Sequence, residues 1–438
     1  MKVALRLLKS SRILVTGFLA IGVVACGNST PTAAVGTGGS GGAAGQGGSS
    51  SSSSAGTTGN PAGGGRGGAS GATSAGGDLG NAGGAGTTAA GAGGSSGASG
   101  TSGASGTGGS GGTGDGALEL LHYYGRWNRL SDRAITVNTG SHVVAMFSGS
   151  GVSARFDTTL NQSPNPTLAW RIDAGEWQEG ELAPTVSLAT GLSGATHEVT
   201  LMVRGFNEFQ SRWSPPLISS ITFLGFDVTE GALQVSVRPV RPKIEFLGDS
   251  ITEGLYIWST YNGQTTVPWR ADARRSWACQ TAQNLGAEWR QVGFGGQGLL
   301  KGGSGNAPPA NDAFNWIYEG VPRDAWQPDL VVINQGTNDS AASASDFSAA
   351  YTSFIGTVRA AYPSAKLLAL RPYGGAHTAE IAAEVSARQA AGDTRIIYID
   401  TTGWLGNGDF TDGVHPNDQG SQKAATALTA AIHAEGVL

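Results

Sequence analysis

Four short stretches hold residue types suited to acyl transfer: "GDSITEG" (248–254), "GFGGQG" (293–298), "GTND" (336–339) and "DGVHP" (412–416). A serine hydroxyl becomes a nucleophile only when a base takes its proton. Ser250 is the candidate nucleophile, although a serine between an apolar run and a helix start reads equally well as a cap. His415 is the candidate base. It is one of six histidines, and His122, His142, His197, His377 and His433 lack a comparable setting. Asp412 stands three residues earlier. If this loop makes a helical turn, the two side chains fall on one side. The carboxylate would then hold one ring nitrogen and leave the other for the Ser250 proton. Pro416 biases His415 towards extended backbone.

A tetrahedral intermediate also needs donors for its oxyanion. A Gly-rich loop offers backbone N–H groups with no side chain in the way, and Gly296 can supply one. The Asn338 amide and the Ser250 N–H are the other candidates. Losing one such donor typically costs ~3 kcal/mol of barrier. Each stretch has a plain alternative: a cap, an Asn turn, an exposed histidine before a helix. "GFGGQG" is a poor phosphate cradle, because no Lys-Ser/Thr follows and the dinucleotide spacing is absent.

What unites the four is their position. From residue 242 onward, strands alternate with helices. "KIEFLG", "EWRQVGF", "DLVVINQG", "AKLLALRPYG" and "TRIIYID" read as strands. "RRSWACQTAQNLG", "ASDFSAAYTSFIGTVRAAY", "HTAEIAAEVSARQAAG" and the closing "PNDQGSQKAATALTAAIHAEG" have helical spacing. This alternation predicts an α/β fold with a parallel sheet and helices on both faces, where ligands meet strand C-termini. All four stretches fall at such ends.

Residues 117–241 have a different rhythm. "AITVNTG", "HVVAMFSG", "TLAWRIDAG", "HEVTLMVRG" and "ALQVSVRPV" read as strands between turn residues, with no amphipathic helix, which predicts an antiparallel β-sandwich. Arg126 and Trp127 suit either a sugar-binding face or packing at the core or a domain interface. Residues 27–116 are Gly, Ala, Ser and Thr with almost no large apolar side chain, and hold half of the 72 glycines. Such a chain cannot offset its ordering entropy and is expected to be a flexible tether spanning roughly 50 Å. Residues 1–26 join a basic start to the apolar run "ILVTGFLAIGVVA" and end in "VVAC". That ending resembles the lipobox of bacterial lipoproteins, which implies lipidation of Cys26. Asn28 two residues on favours an outer-membrane or cell-surface address.

The 242–438 segment resembles the SGNH (GDSL-like) hydrolase superfamily, whose sequence blocks carry Ser, Gly, Asn and His. The resemblance implies Ser250 as nucleophile, Asp412 and His415 as its partners, and Asn338 and Gly296 (Gly295 as runner-up) beside the Ser250 N–H in the oxyanion hole. The second block is the loose one. A "GRW" sandwich ahead of such a domain, with "PDLVVINQGTND" and "YPSAKLLAL", is similar to carbohydrate esterase family 2. That likeness implies a jelly-roll domain beside the catalytic one, and O-deacetylation of acetylated polysaccharides or oligosaccharides of xylan or glucomannan type, as in acetyl xylan esterases. It also implies an aromatic that stacks on sugar; Trp258, Trp316, Trp326 and Trp404 are candidates, with Trp316 and Trp404 preferred for substrate binding.

The mild net charge of −5, without a basic cluster, argues against nucleic acid as a partner. No HExxH or similar His cluster suggests a metal, and no cofactor is expected. Cys279 reads as a buried small side chain. Two other readings stay open: an SGNH lipase, thioesterase or cell-envelope sugar acetylesterase, and a carbohydrate-binding surface protein. No apolar lid stretch favours the lipase, and intact Ser250, Asp412 and His415 count against a pure binder.

Overall fold

The computed structural model describes residues 119–438. The export signal, Cys26 and the tether lie outside the described residues. Two antiparallel sheets come first. In one, β1 (His122–Tyr124), β4 (His142–Ser148), β9 (Thr196–Gly205), β6 (Thr167–Ile172) and β7 (Gln178–Glu181) are neighbours in that order, and β11 (Ala232–Gln234) also pairs with β4. In the other the order is β2 (Asn128–Arg129), β3 (Ala134–Thr136), β10 (Ile221–Thr229), β5 (Gly151–Phe156) and β8 (Thr185–Thr190). Alternate residues of both sheets enter one apolar core, among them Val143, Ala145 and Phe147 of β4, Val199, Leu201 and Val203 of β9, and Val152, Ala154 and Phe156 of β5. This is the period-two pattern of strands buried on one face.

A five-stranded sheet follows: β13 (Glu288–Val292), β12 (Lys243–Leu247), β16 (Leu330–Ile333), β17 (Lys366–Leu370) and β18 (Ile396–Ile399), in that spatial order and all parallel. β14 (Trp316–Tyr318) and β15 (Val321–Pro322) make a small ribbon beside it. The helices are α1 (Ser250–Glu253), α2 (Val267–Arg270), α3 (Trp277–Asn284), α4 (Ala310–Ala313), α5 (Ala344–Ala361), α6 (Thr378–Ala390) and α7 (Asp418–Ala434). Val331, Ile333, Leu367 and Ala369 pack with Phe347, Tyr351 and Phe354 of α5 and Ile381 and Val385 of α6. The alternate residues Phe246, Leu330, Val332, Leu368 and Leu370 pack with Trp277 of α3 and Leu428 and Ile432 of α7. Burial on both faces explains why these strands read as unbroken apolar runs. After β12 the chain places β13 on one side, then crosses to β16 on the other. The order reverses between β12 and β16, which is where open α/β sheets form a crevice.

The two-sheet part and the parallel-sheet part are joined through fully buried arginines from the former. Arg126 donates through Nε to Glu245 of β12 (3.1 Å) and through Nη1 to the carbonyls of Phe314 (2.7 Å) and Trp316 (3.1 Å). Tyr362 donates to the other oxygen of Glu245 at 2.6 Å. Trp127 is core, its indole N–H donated to the Tyr124 carbonyl at 2.9 Å. Of the two roles open to Arg126 and Trp127, the structure selects packing.

Candidate active site

The chain leaves β12 at Leu247 and enters α1 with Ser250 as its first residue. Asp249 is the cap: its Oδ1 accepts the Ile251 N–H at 2.9 Å. The cap reading of Ser250 is therefore corrected, and the serine hydroxyl is free for other work. His415 Nε2 lies 2.9 Å from Ser250 Oγ, and His415 Nδ1 lies 2.8 Å from Asp412 Oδ2. With Nδ1–H donated to the carboxylate, Nε2 presents the lone pair that accepts the serine O–H. Ser250 is only 4% exposed.

Asp412 and His415 do not share a helical turn as expected. The segment is a tight bend in which Asp412 Oδ1 accepts the N–H groups of Val414 (3.1 Å) and His415 (2.9 Å). Gly413, at φ 85°, takes the left-handed backbone that interrupts a helix. A 2.8 Å bond from Thr411 N–H to the His415 carbonyl closes the bend. Burial pushes the Asp412 carboxyl up, but the hydrogen bonds from the His415 main chain and ring, with that from Val414, outweigh it and hold the carboxyl below its ordinary value. The aspartate is thus the charged partner an imidazolium needs.

On the other side of the nucleophile, both amide hydrogens of Asn338 are engaged. Nδ2 donates to Asp249 Oδ2 (3.0 Å) and to the Gln297 carbonyl (2.9 Å). Asn338 therefore ties the β16 turn to the nucleophile turn and to the Gly-rich loop, and would serve an oxyanion only by sharing or giving up one of these bonds. Asp249 is wholly buried, and burial, with Asp339 nearby, pushes its carboxyl up to about 7. Asp339 holds the loop from below, Oδ2 accepting the Leu299 N–H (2.7 Å) and Oδ1 that of Leu300 (3.1 Å). Among the described residues the Gly296 N–H meets no main-chain carbonyl, and Ser250 N–H, at the first turn of α1, has no partner within its helix. These two N–H groups are the candidate oxyanion donors that no main-chain bond within their segments engages.

Several positions near the site were not singled out by sequence. Tyr256, with left-handed backbone at φ 52°, sets its ring edge-on to His415 at 5.1 Å, and the Arg270 guanidinium covers it at 4.2 Å. Glu253, the last residue of α1, is paired with Arg212, which also donates to Glu208 (3.0 Å) and to the Val137 carbonyl (3.3 Å). All three ionic side chains are at most 3% exposed. A Cβ on Gly295 would lie 1.7 Å from Glu208 Oε2, so the Gly-rich loop runs directly against this cluster. Trp316 is 38% exposed beside β15, and Trp404 packs on the cluster that includes Ile251 and Trp277. Trp326 bonds Glu288 at the start of β13, the far end of the sheet, whereas Trp258 packs against Tyr261 at 5.4 Å.

Residues 246–423 match the family described as GDSL-like Lipase/Acylhydrolase. The chain is 30% identical over 269 residues to the cellulase/esterase CelE of Acetivibrio thermocellus, covering 57% of this chain and 31% of that protein. It is 26% identical over 245 residues to an acetylxylan esterase/glucomannan deacetylase of Cellvibrio japonicus, covering 53% and 63%. The chain thus spans less than two thirds of either relative. Among solved structures, a family two carbohydrate esterase from Clostridium thermocellum in complex with cellohexaose superposes with a TM-score of 0.63 at 27% identity, covering 73% of this chain and all of that one. A family two carbohydrate esterase from Cellvibrio japonicus shares the fold, with a TM-score of 0.59 at 23% identity. Residues 246–423 are thus similar to GDSL-like hydrolases, and family two carbohydrate esterases are among the chain's structural neighbours.

Proposed function

We propose that this protein is a carboxylic ester hydrolase that removes O-acetyl groups from polysaccharides or oligosaccharides of xylan or glucomannan type. The observation that carries the reading is the unbroken hydrogen-bond chain from Asp412 through His415 to Ser250. The carbohydrate esterases among its relatives support the substrate class. Ser250 Oγ attacks the acetyl carbonyl carbon while its proton passes to His415 Nε2. The oxyanion takes N–H bonds from Ser250 and Gly296, with Asn338 as the third donor. Collapse breaks the C–O bond to the sugar, whose oxygen takes the proton from His415, leaving acetyl-Ser250. Water then repeats the sequence and releases acetate.

The test is acetate release from acetylated xylan, acetylated glucomannan and simple acetyl sugars, with Ser250→Ala beside the wild type. The variant is expected to lose activity by at least ~10⁴-fold. Equal release by both would sink the mechanism, and polysaccharide binding without acetate release would favour a binding protein. Activity rising with acyl length would favour a lipase. The two-sheet part is read as the jelly roll of such esterases. The protein is further read as an exported lipoprotein anchored through Cys26 at the outer membrane or cell surface, on the strength of "VVAC" and the residues before it.

A further inference from the structure

A second cleft, of ≈ 430 Å³, lies between the two-sheet part and the parallel sheet. It is lined by Glu288 and Trp289, where β13 begins, whereas the Gly-rich loop of the candidate active site follows the end of that strand. Volumes of this size between modules are where small ligands commonly bind. The lining is cationic in a chain of net charge −5: Arg171, Arg238 and Arg241 face two carboxylates, Glu198 and Glu288. Both carboxylates are already engaged, Glu198 by Arg238 and Glu288 by the Trp326 indole N–H at 2.7 Å. Arg171 and Arg241 join no ion pair among the described residues, and the Nε of Arg171 has no hydrogen-bond partner.

One wall is aromatic. Tyr124 stacks on His142 (4.8 Å, 14°), and His142 lies 4.5 Å from Trp289. Elsewhere in the lining the Arg171 guanidinium covers the Trp177 ring at 4.9 Å. Burial pushes the His142 imidazole down to about 4, so the wall is uncharged near neutral pH. A ring presented to flat aromatic faces, with a carboxylate reaching planar guanidinium donors, is the ligand chemistry this lining suits.

We propose that this cleft is a second binding site, for an oligosaccharide bearing a uronic acid, with its ring against Tyr124 and Trp289 and its carboxylate between Arg171 and Arg241. The choice of a sugar over other ring-bearing carboxylates rests on the proposed function. The site would hold acidic stretches of a glycan while the distant triad works on acetylated ones.

Calorimetric titration of the full chain carrying Ser250→Ala separates this site from catalysis. The probes are a xylo-oligosaccharide with one glucuronic acid, the same oligosaccharide without it, and benzoate. The acidic oligosaccharide is expected to bind about tenfold or more tightly than the neutral one, and less tightly as salt rises. Arg171→Ala and Arg241→Glu should each lower its affinity at least about tenfold. Arg241 is exposed, so its substitution is tolerated by the fold. In the otherwise wild-type chain, Arg241→Glu should leave hydrolysis of a simple acetate ester unchanged. Equal binding of acidic and neutral probes, no binding of either, unaltered binding by both variants, or equal binding of benzoate would each overturn the proposal. Failure of the esterase reading would show separately, as absent acetate release by the wild type.

Discussion

Arg212→Met asks whether the two-sheet part belongs to the catalytic machinery. α1 is four residues long, too short to hold its shape unaided. Its first residue is the candidate nucleophile and its last, Glu253, is paired with Arg212. The Glu253 carbonyl also accepts from Thr139 of the two-sheet part at 2.9 Å. Removing the guanidinium leaves two carboxyls buried without their cation, a loss of about 3–5 kcal/mol, or a fall in melting temperature of roughly 5–15 °C. A shift of Ser250 by even ~1 Å can lower turnover about 10²-fold. Thermal unfolding is to be measured beside kcat and KM on a simple acetate ester, at a temperature where the variant is folded. Both stability and kcat should fall, with KM changing less. Wild-type stability and turnover in the variant would refute the reasoning. Glu253→Gln gives an independent arm. Burial holds the Glu253 carboxyl up at about 8 against an ordinary 4.5. The folded chain keeps a proton that the unfolded chain gives up, so this contribution is full below pH ~4.5 and is lost as pH rises to about 8. Glutamine is permanently neutral, so the variant's stability should fall less steeply between pH 5 and 8. Identical slopes would exclude a proton held at Glu253.

Asn338→Ala should lower kcat by about 10²–10³-fold if the amide serves the oxyanion; a loss of stability with kcat preserved would assign it to tying Asp249 to Gln297 alone. Cys279 is wholly buried, its sulfur accepts from Gln283 at 3.3 Å, and burial pushes the thiol up to about 12. It should resist thiol reagents at pH 8 in the folded protein and react on unfolding, and rapid native labelling would contradict this. Cys26→Ser should abolish incorporation of a labelled fatty acid and release the protein from membranes; label retained by the variant would refute the anchor.

The parallel-sheet part was legible because its signals are local. Each strand is an apolar run, each long helix has its period, and the four stretches sit at strand ends. Sequence also placed β3, β4, β6, β9 and β11. It missed β5, whose inward Val152, Ala154 and Phe156 alternate correctly but are diluted by a small side chain and a glycine. It missed β10, where the register shifts between Phe223 and Gly225 and breaks the period of two. The helical turn expected for Asp412 and His415 failed at Gly413. Spacing alone does not distinguish that turn from a bend in which an Asp side chain bonds the main chain two and three residues on.

What sequence reading could not supply is the set of charged residues that meet only in three dimensions. Arg126 reads as part of a sugar-binding face or of a packing interface, Glu208 and Arg212 as ordinary polar residues of a β module, and Glu253 as part of a helix start. Burying such charges is costly unless each is paired. Here they are paired across the boundary, Arg126 with Glu245 and Arg212 with Glu253. Separation would therefore leave the first part with Arg126 unpaired and Arg212 held by Glu208 alone, and the second would lose the holds on β12 and α1. The two-sheet part is thus better understood as a wall of the nucleophile turn than as an independent appendage. A chain cut between them, near residue 241, should yield a hydrolase domain that is poorly folded and inactive even though it contains Ser250, Asn338, Asp412 and His415.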